Sequence, residues 1–491
     1  MTALPLLTLI LAPLLGAVLA FARPSIAWRA TAAVLALEAG LLLRGPTGSV
    51  SLVGTHLELT PLGRLALLAA LATVVLASLS AGLRAGSSTA YPEPDPRGGP
   101  RARRPEIGKT RQRGRRLGSP AVEDGRAASP AVPAALGLAT AALLARDSLP
   151  LAMLLLESAA LALAFALVRS RAGAASAAAR YVVIVTLAIL ALLLGVLLLG
   201  STGVLEAGLT RVGAALVVVG LAILLAAFPF HLWLPGLAVE AEPEDGALPL
   251  ALITGAAVAL AVEQLRALPA APSGQAIGPL VMSAGIASAG IAGVLALAAA
   301  PTPARSLAFL ASSSLGFALV GLSCESDVGL VGALFTVLLT PPAFLLGLIC
   351  LREASGRADE MSGRNRSESG RDGLATRPVL AVGLAVSALA LAGAPPLAGF
   401  PGRWGVYVAM ASAGDGYLAG SLVAAMLGVM AAGRLSYRTL SRGTQTRDRR
   451  WPREVTVPIV LILFLVVLGL WPAPVVDALQ AALARLGAVG R

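Results

Sequence analysis

Lysine is almost missing from this chain. Lys109 is the only one in 491 residues, and it lies in a polar stretch, so no membrane-crossing segment can hold a lysine. Histidine is nearly as scarce, with only His56 and His231. The two cysteines, Cys324 and Cys350, have no metal-ligand spacing and form no cluster for an Fe–S centre, so both read as small apolar fillers. No strand-embedded glycine fingerprint offers a dinucleotide site. Nothing points to NADH, flavin, Fe–S or quinone binding, and no cofactor or redox chemistry is expected in this chain.

Hydrophobic residues, by contrast, make up 57% of the sequence, and the mean hydropathy is +0.83. Such a composition excludes an ordinary soluble protein and indicates an all-α polytopic membrane protein. A net charge of +12 would suit a nucleic-acid binder, but most arginines sit in a few loops, which is how positive-inside topology appears. Nucleic acid is therefore not an expected partner; the lipid bilayer is.

Apolar runs of membrane-spanning length number about fourteen. The first three lie near 3–22, 27–44 and 62–84, and the first has no convincing signal-peptide cleavage site. An insertion at 85–129, rich in Pro, Gly, Ser and Arg, cannot build a core and reads as a disordered loop. Spans four to eight fall near 131–146, 149–169, 180–200, 209–230 and 247–268. Spans nine to thirteen fall near 276–299, 305–323, 328–351, 378–411 and 416–433, and the last near 455–472, before an amphipathic tail. Arg23, Arg29, the 85–129 insertion, Arg169, Arg171, Arg305, the 352–377 loop and the Arg434–Arg453 loop all fall on one side. Both termini are thus expected outside the cytoplasm. The acidic stretch Glu240, Glu242, Glu244 and Asp245 is the exception, because it shares the side of the arginines.

Two interruptions organise this array. Phe228-Pro229-Phe230-His231-Leu232-Trp233-Leu234-Pro235 ends one apolar run, and Gly393-Ala394-Pro395-Pro396-Leu397-Ala398-Gly399-Phe400-Pro401-Gly402-Arg403 divides another. Pro229, Pro395 and Pro396 each remove a backbone donor and clash with the preceding turn, so helices must break there. Broken helices at corresponding places in two halves are the mark of a transporter built from repeats. His231 taken alone reads as a structural histidine at a helix end; the paired breaks favour a functional one.

Charges within spans are costly and are functional hypotheses by default. Glu157 lies mid-span among Leu and Ala; burial disfavours a charged carboxyl, making it a candidate proton carrier, with a protonated structural glutamate as the plainer alternative. Glu38 is similar, but nothing else converges on it. Glu263 and Arg266 lie near the outer end of span eight, where they are expected to reach the interface. Arg403 follows the second break and can anchor a carboxylate or water, but it cannot shuttle protons.

At these residues the chain resembles the antiporter-like membrane subunits of respiratory complex I, which are similar to the large subunits of Mrp-type antiporters. FPFHLWLP at Phe228–Pro235, the stretch Arg171–Gly203, RSLAFLASSSLGFALVGL at Arg305–Leu322 and AGAPPLAGFPGRWG around the second break carry the resemblance, which fits subunit N better than L or M. It implies fourteen helices with two inverted five-helix repeats, at 130–269 and at 270–433 with its polar loop 352–377. Helices 1–3 (1–84) and the insertion 85–129 precede the repeats, and a basic loop, last helix and tail (434–491) follow. It also implies a midplane chain of polar groups, with Glu157 matching the family's fifth-helix glutamate and Arg403 its twelfth-helix charged residue. Proton transport within a NADH-quinone oxidoreductase or related complex, beside other membrane subunits in a bacterial inner membrane, would follow.

The departures are chemical. The lysine four residues before the FPFH motif is Leu224, the eighth-helix lysine is missing around Ile253–Gly255, and the aspartate of the usual WLPDA is Gly236. A desolvated lysine can release a proton near neutrality; Leu224 has none to give. Glu157, His231 and water remain as a proton path, and Arg403 as a fixed charge. A non-pumping scaffold paralogue is the alternative reading. A free-standing cation/proton antiporter is disfavoured, because nothing offers several carboxylates to a metal ion.

Overall fold

The computed structural model describes residues 3–22, 27–44, 49–52, 55–88, 129–170, 173–200, 207–267, 274–299, 301–324, 326–362, 378–440 and 455–489. The expectations for residues 89–128, with Lys109, and for 363–377 and 441–454 lie outside the described residues.

Long apolar runs without backbone partners in lipid must satisfy their own N–H and C=O groups, and helices do so. The chain forms α1 (Ala3–Ala22), α2 (Ala27–Arg44), α3 (Pro61–Ser88), α4 (Ala131–Leu144), α5 (Leu149–Ser170), α6 (Ala175–Gly200) and α7 (Ala207–Leu224). Two short helices, α8 (Trp233–Glu240) and α9 (Pro243–Gly246), lead through a π-helical turn at Pro249–Thr254 into α10 (Gly255–Ala267). The rest is α11 (Gly274–Ala298), α12 (Pro303–Ser323), α13 (Asp327–Ser362), α14 (Pro378–Leu391), α15 (Gly399–Ala413), α16 (Asp415–Leu440), α17 (Thr456–Leu470) and α18 (Ala473–Val489).

Nine helices among the described residues are long and apolar enough to cross a membrane, or ten if the pair Thr456–Leu470 and Ala473–Leu486, bent by 67°, is one span. Three further apolar helices are shorter, and two of them, α7 and α14, stop at the breaks. The protein is an all-α, multi-pass membrane protein.

Segments Pro243–Ala267, Pro303–Ser323 and Asp327–Ala354 are enclosed almost throughout, whereas α1 and α16 leave most of their surface exposed. The former are the middle of the bundle. Apolar packing gives no net drive inside lipid, so close backbone approach matters more. A Cβ on Gly195 of α6 would stand 2.8 Å from the carbonyl oxygen of Gly213 on α7. Likewise, a Cβ on Gly332 of α13 would stand 2.5 Å from the carbonyl oxygen of Gly402 on α15. Outward faces of α5 and α6 remain apolar, with Leu154, Leu161, Phe165, Leu187, Leu190 and Leu194 exposed.

Three local features differ from the sequence expectation. An antiparallel hairpin, β1 (Ser49–Leu52) with β2 (Thr55–Glu58), joins α2 to α3 with Ser49 opposite Glu58. Helix α13 runs on to Ser362, into the stretch read as a polar loop. Ala, Glu, Met and Arg in LREASGRADEMS are good helix formers, and the membrane edge alone does not stop a helix. The last span ends at Leu470, because Pro472 cannot continue it, and the chain turns into α18.

Candidate functional site

Helix α7 stops at Leu224 through a Schellman motif. Ala226 is left-handed (φ 46°), Ala227 N donates to Ala222 O (2.8 Å), and Ala226 N donates to Ile223 O (3.1 Å). Phe230 N then donates back to Ala227 O (2.7 Å), and the Phe228–Pro229 bond is cis. The orphan carbonyls at this helix end find side chains: Trp233 Nε1 donates to Ile223 O and Thr254 Oγ1 to Leu224 O, each at 3.2 Å. Ser288 of α11 accepts the Phe228 N–H (2.8 Å).

Helix α14 ends the same way. Gly393 is left-handed (φ 70°), Ala394 N donates to Leu389 O (2.9 Å), Gly393 N to Ala390 O (3.0 Å), and Leu397 N to Ala394 O (3.1 Å). The Pro395–Pro396 bond is cis. The backbone hydrogen bonds of the first break thus recur at a constant interval along the chain. The three prolines Pro229, Pro395 and Pro396 lie within these non-helical segments and are exposed.

Arg403 lies across the second break and is only 1% exposed. Its Nη2 donates to Leu391 O (2.9 Å), the carbonyl at the negative end of α14. Its guanidinium stands 4.3 Å from the centroid of Phe317 on α12, and that ring meets Tyr407 edge-on. Nε and Nη1 have no hydrogen-bond partner. A Cβ on Gly393 would meet Arg403 Cδ at 2.2 Å, so the left-handed glycine also makes room for the arginine. The cation is held by a helix end and an aromatic face, with no carboxylate in contact among the described residues.

Glu157 is half-buried on α5 and accepts a hydrogen bond from Thr186 of α6 through Oε1; its Oε2 is enclosed and unpartnered. Tyr181, whose buried hydroxyl also lacks a partner, lies in electrostatic range. His231 is 7% exposed and packed between the rings of Phe228 (5.6 Å, stacked) and Phe309 of α12 (5.7 Å), with Nδ1 unpartnered. Glu157 therefore faces α6, whereas His231 and Arg403 both rest on α12, over Phe309 and Phe317 two turns apart (about 12 Å). Ser312, Ser313 and Ser314 occupy the interval; Ser314 pairs with Thr340 of α13 (3.3 Å) and Ser312 Oγ has no partner. The role of α12 as the element shared by both breaks had no signal in the sequence beyond its serine run.

Residues 147–428, more than half of the chain, match the family model described as NADH:quinone oxidoreductase/Mrp antiporter, TM. The chain belongs to this family. Among relatives, it is 29% identical to NADH-quinone oxidoreductase subunit N of Granulibacter bethesdensis over 290 residues, 56% of this chain and 58% of that one. The corresponding protein of Parvibaculum lavamentivorans is 29% identical over 356 residues, 67% of this chain and 71% of that one. The match thus spans little more than half the length of the first relative. Among solved structures, respiratory complex I from Thermus thermophilus with bound NADH aligns with TM-score 0.72 and 18% identity over all of both chains. The Mrp complex from Dietzia sp. DQ12-45-1b aligns with TM-score 0.71 and 21% identity, covering 99% of this chain and 98% of that one. At these identities the likeness is one of fold.

Within the antiporter family, the two positions where the resemblance sets lysines meet in space. Leu224 is 1% exposed at the end of α7, and the hydroxyl on its carbonyl comes from Thr254, at the close of the π turn. This bond joins the Thr254 side chain to the main chain of Leu224, and neither residue carries an amine. Gly236, in place of the aspartate, leaves room for Arg180, whose Nη2 would lie 3.1 Å from a Cβ there. Arg180 instead binds Glu240, one turn further on (2.5 Å).

Two of the four acids in the stretch that broke the charge rule are paired with arginines, and a third is hydrogen-bonded. Glu240 accepts from Ser176 and Arg180 of α6 (2.5 Å each), Glu242 pairs with Arg352 of α13, and Glu244 accepts from Ser80 of α3 (2.9 Å). Burial works against the charged form of Glu240, but the hydrogen bonds from Ser176 and Arg180 and the Arg180 charge outweigh it and hold its carboxyl below the usual range. One other expectation is corrected. Glu263 does not reach the interface: it is 4% exposed, bound by the Thr60 hydroxyl, because α3 begins directly over it. Arg266 pairs with Asp327 at the start of α13. Glu38 is 1% exposed with Oε1 unpartnered.

Proposed function

We propose that this chain is a subunit-N-like membrane-arm component of a proton-translocating NADH:quinone oxidoreductase or a related respiratory complex, and that it moves protons through Glu157. The observation that carries this reading is the pair of helix breaks with one hydrogen-bond pattern, beside a mid-span glutamate with a free oxygen. That recurrence supports two five-helix repeats of opposite orientation, 130–269 and 270–433, within a fourteen-span chain. Broken helices at a repeat interface are where transporters place their ion sites. Glu157 is the titratable carrier, His231 lines the first break, and Arg403 fixes a positive charge at the second. Other membrane subunits cover the exposed apolar faces in a bacterial inner membrane, with both termini on the outer side and no cofactor bound to this chain.

A second reading has its own support. Leu224 and Thr254 remove the exchangeable amines from the first break, which favours a scaffold that pumps nothing. A free-standing antiporter is a third. Among the described residues, no group of three or more His, Cys, Asp or Glu could hold a metal ion. Purification of the tagged chain from its native membranes in mild detergent tests the assembly. NADH:quinone reductase activity should co-migrate with the tag. A chain that migrates alone, and exchanges cations for protons in vesicles, would contradict the reading.

A further inference from the structure

One buried acid has no part in the scheme above. Glu263 closes α10, where the span nears its end, and is 4% exposed. Its Oε1 accepts the hydroxyl of Thr60, and its Oε2 is enclosed without a partner. Thr60 is the N-cap of α3: its Oγ1 accepts the Gly63 N–H (2.9 Å) and its carbonyl accepts the Arg64 N–H (2.9 Å). The carboxyl therefore sits at the positive end of a long helix. The neighbouring Gln264 clamps the α4–α5 turn by donating to Arg146 O (2.7 Å).

The charges around it are few. Arg146 attracts it and exposed Glu58, at the end of β2, repels it. Arg146 makes its ion pair with Asp147 (3.4 Å), Arg64 is turned to the carbonyls of Leu42 and Leu43, and Arg266 is taken by Asp327. Among the described residues no cation neutralises Glu263 by direct contact, so the free oxygen is the natural seat of a proton. Helix α5 starts at Leu149, immediately after this turn, and Glu157 lies about 12 Å further along its axis. The two acids are thus staged in depth from the same end of the bundle.

We propose that Glu263, reached through Thr60 beneath the β-hairpin and the α4–α5 turn, is the proton-exchange site that ends the route whose mid-membrane acid is Glu157. This rests on the reading of Glu157 as a proton carrier. From the carboxylate, Thr60 gives its hydroxyl proton to Oε1 and takes one from a hydronium ion on the outer side, which leaves water there, regenerates the hydroxyl and makes the carboxyl neutral. A half-turn of the carboxyl carries that proton to the Oε2 position, and its release toward the interior restores the carboxylate. Flow in the other direction reverses each step.

The test uses the intact complex in proteoliposomes, with protons pumped per electron pair and the infrared carboxylic C=O band as readouts. Glu263→Gln should lower the ratio as far as Glu157→Gln does, and Glu263→Asp should keep most of it. Thr60→Val should slow pumping with Glu263 still present. The wild-type spectrum should hold a deuterium-sensitive carboxylic band that Glu263→Gln removes and Glu263→Asp shifts. If Glu157→Gln lowers the ratio and Glu263→Gln does not, the exchange site is wrong while the role of Glu157 stands. If neither variant lowers it, the translocation reading itself fails, and this inference with it. If Glu263→Gln prevents assembly, Glu263→Asp and Thr60→Val decide: wild-type pumping rates in Thr60→Val and an unshifted band in Glu263→Asp overturn the proposal.

Discussion

At the scale of single residues, hydrogen bonds from Trp233 and Thr254 close the first break, with His231 packed beside it, and the buried charge of Arg403 closes the second. Thr254 is the donor that satisfies Leu224 O at the end of α7. Thr254→Val should therefore leave a buried carbonyl unpaired and cost about 1–3 kcal/mol. A lowered midpoint in thermal unfolding of the detergent-solubilised chain would register it; an unchanged midpoint would mean that the bond contributes nothing. Arg403 both caps α14 and lies over Phe317. Arg403→Lys retains a cation for the ring and the helix end, whereas Arg403→Leu leaves Leu391 O bare. The lysine variant should keep more stability and more proton pumping than the leucine variant. Equal losses in both would show that the charge itself is irrelevant.

At the scale of elements, the two breaks differ in one telling position. Each needs a left-handed residue after the helix, and the chain uses Ala226 in one and Gly393 in the other. A non-glycine residue there costs roughly 1–2 kcal/mol, so Ala226→Gly should be neutral or stabilising by about 1 kcal/mol. Gly393→Ala should be strongly destabilising, since its Cβ would meet Arg403 Cδ at 2.2 Å. Unfolding midpoints of both variants check the contrast; a Gly393→Ala protein as stable as wild type would refute the packing described here.

A second element-scale expectation concerns the strap from α8 to α9. The Glu240 carboxyl is held below its ordinary value, so the contribution of its pair with Arg180 is complete above the unfolded carboxyl value and fades as pH falls through the folded one. Glu240→Gln should be less stable than wild type at neutral pH, and the gap should close well below about pH 4. A gap that persists unchanged in acid would assign the loss to packing.

Apolar runs and prolines were enough to show an all-α multi-pass membrane protein and both interruptions, because apolar length and missing donors are local properties of the chain. They could not reveal that α7 stops at Leu224, five residues before Pro229, since the Schellman turn rests on Ala226, a residue with no turn signature. Partners were equally hidden. Nothing local to Glu263 announces that Thr60 lies over it, or local to Arg180 that Glu240 is its partner. The acidic stretch looked like a fault in the charge rule only because Arg180, Arg352 and Ser80 are remote in sequence.

At the scale of the whole molecule, a family fold is combined with a depleted set of charges. The bundle keeps two matched breaks, α12 bridging them, and Glu157 at mid-span, while the sequence holds a single lysine, Lys109. The account stands on whether a carboxyl without a lysine partner can still carry protons. The most direct measurement is the number of protons pumped per electron pair by the complex in proteoliposomes, with wild-type chain and with Glu157→Gln at equal assembly. The glutamine keeps shape and much of the hydrogen bonding to Thr186 but has no exchangeable acid proton. The account predicts a lower ratio for the variant, short by this subunit's share; a ratio equal to wild type would contradict it and leave the chain a scaffold.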